Sequence, residues 1–114
     1  MATHPQTWLK VNAPVDEGVA QIVAALNSVE GLETLQSCQG DPGKREGYVY
    51  FAYGDWRRIT SLIFEKIGPM LKEKLDEDAT VIIEATGNPE PMAKLSFRAE
   101  AADLVASTLK EVLR

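Results

Sequence analysis

The stretch Leu35-Gln36-Ser37-Cys38-Gln39-Gly40-Asp41-Pro42-Gly43-Lys44-Arg45-Glu46-Gly47-Tyr48-Val49-Tyr50-Phe51-Ala52-Tyr53 decides how this chain folds. Gly40, Asp41, Pro42 and Gly43 are turn formers, and Lys44, Arg45 and Glu46 keep the connection in water. On either side lie runs of strand character. Residues 47–53 are rich in aromatic and β-branched side chains and residues 32–39 adjoin them, so the spacing predicts a hairpin with a long loop.

Toward the N-terminus, residues 7–12 alternate polar and apolar well enough for a short first strand. Pro14 suits the first turn of a helix, with Asp16 and Glu17 near the positive end of its dipole. Val19, Ile22, Val23 and Leu26 then recur at helical spacing as one apolar stripe. Toward the C-terminus, Asp55 is the expected N-cap of a helix whose apolar positions run from Ile59 to Leu75 past Gly68-Pro69. Pro69 removes a backbone hydrogen bond and crowds the preceding turn, which predicts a kink or break there. Residues 79–86 and 92–99 read as two more strands in a hairpin, and residues 101–113 as a closing helix.

The order is β-α-β-β-α-β-β-α. It predicts an α+β fold: a ferredoxin-like βαββαβ core with an added β-hairpin strand and a C-terminal helix, its antiparallel sheet carrying helices mainly on one face. The 114 residues make a single domain, with residues 1–6 expected as a flexible tail. An apolar fraction of 45% and a charged fraction of 25% are those of a globular chain. No apolar run approaches the roughly 18 residues of a membrane span, and MATHPQTWLK lacks the core of a signal peptide. A cytoplasmic protein without membrane association is therefore expected, and its one cysteine makes no internal disulfide. The formal net charge of −5 opposes general attraction to nucleic acid, although a local cationic patch still acts at short range.

Cys38 lies where a strand meets the loop, a reasonable place for a nucleophile. It is a weak catalytic candidate, because the only histidine is His4 in the tail. A structural zinc site wants four Cys or His ligands, which one Cys and one His cannot supply. Glu30, Glu33, Asp41 and Glu46 follow no metal-loop spacing, and no Walker loop is present, so neither metal nor cofactor is expected.

Alternation divides the strand residues into two sets. With Leu9, Val11, Leu35, Val49, Phe51, Val81, Ile83, Leu95 and Phe97 toward the helices, the opposite face carries Trp8, Lys10, Gln36, Cys38, Tyr48, Tyr50, Ile82, Glu84, Lys94, Ser96 and Arg98. Unless the last helix folds back over it, such a face marks an interface. Its candidate binding residues are Trp8, Lys10, Cys38, Tyr48, Tyr50, Lys94 and Arg98.

Two family resemblances bear on this face. Residues 46–53, EGYVYFAY, resemble the third-strand motif of RNA-recognition domains, with Gly47, Tyr48, Tyr50 and Tyr53 at matching places and Glu46 and Val49 departing from it. That resemblance implies single-stranded RNA stacked on Tyr48 and Tyr50, with Lys10, Lys94 and Arg98 on phosphates. The element order and Ser28-Val29-Glu30-Gly31-Leu32 resemble ACT-like regulatory domains, which implies dimerisation and small-ligand binding. The leading expectation is a non-catalytic binding or assembly domain, homodimeric, whose open aromatic face contacts a second copy, another protein or a small ligand. Single-stranded RNA binding and a thiol-dependent enzyme using Cys38 are the alternatives.

Overall fold

The computed structural model describes residues 6–8, 14–85 and 90–113. Strands β1 (Gln6–Trp8) and β2 (Pro14–Asp16) form a two-stranded antiparallel sheet of their own. The main sheet has four strands, β3 (Glu33–Cys38), β4 (Gly47–Ala52), β5 (Ala79–Glu84) and β6 (Met92–Phe97), antiparallel throughout in the order β3-β4-β6-β5. Both hairpins expected from the turn residues are present. Helix α1 (Ala20–Asn27) precedes β3, a continuous helix from α2 (Trp56–Ser61) to α3 (Gly68–Leu75) joins β4 to β5, and α4 (Ala102–Val112) follows β6. The domain is thus α+β. A ferredoxin-like order needs a first strand inside this sheet, and Leu9, Lys10, Val11 and Asn12 lie outside the described residues.

Alternation builds the core. Val49, Phe51, Ala93 and Leu95 are wholly buried and Phe97 is 1% exposed, while their neighbours in sequence are only half-buried. Facing them are Ile22, Val23, Leu26, Ile59, Ile67, Leu71, Val105 and Leu109. Burial of one such large side chain stabilises the fold by about 1.5–3 kcal/mol. Helix α4 adds Val105, Ala106 and Leu109 to this same core and packs on α1 and α3. It lies with the other helices, and the opposite face of the sheet has no helix over it among the described residues.

Three expectations are revised. Pro14 does not open a helix but begins β2, a place that tolerates a residue without an N–H. Helical structure starts at Glu17–Val19 as a 3-10 turn, with α1 from Ala20, and Trp8 pairs with Pro14 rather than joining the main sheet. Leu35 does not point at the helices. A bulge between Thr34 and Gln36 puts Thr34 opposite Phe51 and leaves Leu35 48% exposed.

The disturbance expected at Pro69 takes a particular form. Asp55 caps α2 as expected, accepting from the Arg58 N–H at 3.0 Å. The helix is not broken at Pro69 but widened: Leu62–Ile67 is a π turn, with the Gly68 N–H donating to the Ile63 carbonyl. Widening absorbs the bond that Pro69 cannot make and the crowding of its ring. Gly68 is required there, because a Cβ would stand 2.7 Å from the Ile63 oxygen.

The loop after β3 is built rather than loose. Gly40 adopts φ +74, and the Asp41 carbonyl accepts from Lys44 and Arg45, each at 2.9 Å. Gly43 N–H donates to Glu100 Oε1 at 2.9 Å, and Gln39 Oε1 accepts from Gly18 N–H at 2.8 Å. These bonds tie the loop to the start of α4 and to the approach to α1. No helix among the described residues is long and apolar enough to cross a membrane.

Candidate functional site

The helix-free face is laid out in cross-strand rows. Gln36, Tyr50, Lys94 and Ile82 form one row, and Cys38, Tyr48, Ser96 and Thr80 the next. Tyr48 and Tyr50 are two apart on β4 and so share the face. Their rings meet edge to face at 75°, with centroids 5.5 Å apart, the favoured aromatic arrangement. Lys94 stands directly across from Tyr50 and diagonal to Tyr48, and its ammonium is 5.4 Å from the centroid of each ring. One cation is therefore held by two rings, each contact worth about 0.5–1 kcal/mol at a site of this exposure.

Around this centre the face turns apolar, then acidic. Ile82 is 50% exposed beside Lys94. Glu33 is opposite Ala52 and Glu84 opposite Met92, which puts both carboxylates on the same face as the tyrosines. At the other end, Cys38, Tyr48, Lys94 and Ser96 line a recess of about 250 Å³ with Arg45 at its rim. Asp41 holds Arg45 there, accepting from Nε at 2.9 Å and Nη2 at 2.6 Å. That hydrogen bond, with the Asp41 charge behind it, raises the pKa of a guanidinium that is already cationic.

The expected binding residues divide accordingly. Cys38, Tyr48, Tyr50 and Lys94 are brought together. Arg98 is not among them: it follows β6, its guanidinium 3.5 Å from Asp78, and it lines a neighbouring recess of about 180 Å³ with Lys44 and Glu100. Lys10 lies outside the described residues, and Trp8 is placed by its backbone alone, in the small sheet. The sequence marks Arg45 only as a loop charge. The signal for it was Asp41 four positions earlier within a Pro-Gly turn, a spacing that closes the pair across the loop.

Cys38 is a free, half-buried thiol, and the one histidine, His4, lies outside the described residues. Among the described residues no group of three or more His, Cys, Asp or Glu side chains could hold a metal ion. No protein-family model, curated protein or solved structure matches the chain.

Proposed function

We propose that this protein is a non-catalytic binding and assembly domain whose open sheet face is its contact surface, and whose occupant presents an apolar or aromatic group with an anionic or carbonyl acceptor for Lys94. The observation that carries this reading is the Tyr48–Tyr50–Lys94 cluster on a face without a helix. Rings and ammonium are held against one another before any ligand arrives, so little ordering remains to be done on binding.

Two features of the face select among occupants. A second copy stacked face to face would bury two Lys94 ammoniums at the centre of the interface, where lysine is disfavoured. Strands of six residues, at about 3.3 Å each and about 4.8 Å between strands, give a flat area on the order of 300–400 Å², against roughly 800 Å² per partner in a standard interface. A small ligand or a modest protein contact fits that size. Single-stranded RNA is disfavoured by Glu33 and Glu84, which set two carboxylates against Lys94 on the face. Use of Cys38 as a nucleophile finds no histidine beside it among the described residues.

The test uses 1-anilinonaphthalene-8-sulfonate, which joins an aromatic body to an anion. Saturable fluorescence enhancement with the folded protein is expected, lost in Tyr50→Glu and weakened in Lys94→Glu. Equal enhancement in all three proteins would overturn the reading.

A further inference from the structure

Strand β5 is an outer strand of the main sheet, and among the described residues no strand pairs with its free edge. The Arg98 N–H donates to the Asp78 carbonyl at 2.9 Å, which marks these two as a hydrogen-bonded pair just beyond the β5–β6 ladder. Such pairs alternate along an antiparallel ladder. Thr80, Ile82 and Glu84 therefore turn their backbone groups to β6, and Ala79, Val81 and Ile83 turn theirs outward. Natural sheets blunt a free edge with a lysine, a proline or a bulge. The other outer strand, β3, has its bulge at Leu35. Thr80-Val81-Ile82-Ile83 has none of these devices, and Ile82 is half exposed.

We propose that β5 pairs antiparallel with β5 of a second copy of this chain, about a two-fold axis through Ile82, joining the two four-stranded sheets into one of eight. Residues directly opposite each other share a face, so a symmetric pair must centre on a single residue. Side-chain chemistry chooses which: an axis at Ile83 sets the Glu84 carboxylate against the apolar Ile82 of the copy. An axis at Val81 or Thr80 instead carries Glu84 past the start of the copy's strand onto its 3-10 turn Asp76–Asp78, which is not extended and holds three carboxylates. An axis at Ile82 sets Glu84 against the Thr80 hydroxyl and Ile82 against Ile82. Val81 and Ile83 then exchange both backbone hydrogen bonds in each direction, and their half-buried side chains continue the core side of the sheet. This self-complementarity favours a second copy over an unrelated strand.

The pairing goes beyond the binding face and does not depend on its occupant. Because the axis is perpendicular to the sheet, the two Tyr48–Tyr50–Lys94 clusters lie on one side of a surface twice as wide. Sedimentation of the intact chain over a dilution series tests it. The unmodified protein should sediment at twice the chain mass, and Thr80→Glu, an exposed position, should fall to single-chain mass by opposing Glu84. Thr80→Glu with Glu84→Lys should restore the dimer. In a Cys38→Ser background, Ile82→Cys should oxidise to a covalent dimer, since facing residues of a non-hydrogen-bonded pair stand about 4.5 Å apart at Cα, within disulfide reach. Tyr50→Glu should keep the dimer while losing the dye, so failure of the face and failure of the edge are told apart. A single-chain mass at every concentration, or a dimer indifferent to Thr80→Glu, would overturn the proposal.

Discussion

Lys94 sits directly across the β4–β6 ladder from Tyr50, with its ammonium 5.4 Å from the centre of the ring. The same ammonium is 5.4 Å from Tyr48, so both rings act on one charge. Lys94→Ala is expected to cost about 1–2 kcal/mol through the two lost cation–π contacts, read by chemical denaturation. Lys94→Arg should keep most of that stability, because a guanidinium stacks on the same rings.

Hairpin and face were legible in the sequence because turn chemistry and alternation agree there. Gly40-Asp41-Pro42-Gly43 forbids a strand, and Tyr48, Tyr50, Ile82, Lys94 and Ser96 fall on one side by counting in twos. Counting fails at Leu35 because a bulge inserts one residue, and nothing in Thr34-Leu35-Gln36 announces it. Pro14-Val15-Asp16 misled for a different reason: proline followed by acid suits a helix start and the first residue of a short strand alike. Pro69 announced a disturbance, but its form depends on how Gly68 meets the Ile63 carbonyl, a contact made only in the folded turn. The place of Arg45 beside the recess required the loop to return on Asp41, which spacing suggests and only folding fixes.

Gly68→Ala should destabilise the domain by about 1–3 kcal/mol, since the new methyl meets backbone rather than a yielding side chain. Thermal unfolding checks this, with Ser107→Ala, on the exposed side of α4, expected to stay within about 0.5 kcal/mol of the parent.

Leu95→Ala tests the core beneath the face. Leu95 is wholly buried, so the substitution should cost about 2–5 kcal/mol by removing apolar contacts and leaving a cavity. Tyr50→Glu, on the half-buried side of the neighbouring strand, should cost less in the same denaturation series.

Cys38→Ser replaces a half-buried thiol at the edge of the recess with a hydroxyl that water can reach. Stability should change by less than about 1 kcal/mol, and dye binding should persist. Loss of binding in this variant alone would return Cys38 to the centre of the site.

Mixed-sequence single-stranded RNA should not bind at low salt, because among the described residues Glu33 and Glu84 oppose Lys94 on the face, Arg45 at its recess is held by Asp41, and the chain carries a net charge of −5. Fluorescence anisotropy of a labelled oligonucleotide reads this, and binding that weakens steeply with added salt would favour the stacking alternative.

The most direct test of the binding face is amide chemical-shift mapping of the 15N-labelled protein titrated with 1-anilinonaphthalene-8-sulfonate. Saturating shifts should cluster at Gln36, Tyr48, Tyr50, Ile82, Lys94 and Ser96, the residues that the cross-strand register places side by side. Shifts centred instead on Trp56 and Phe64, the apolar side chains exposed at 50% and 67% along the helix from α2 into the π turn, would contradict the assignment of the sheet face as the contact surface.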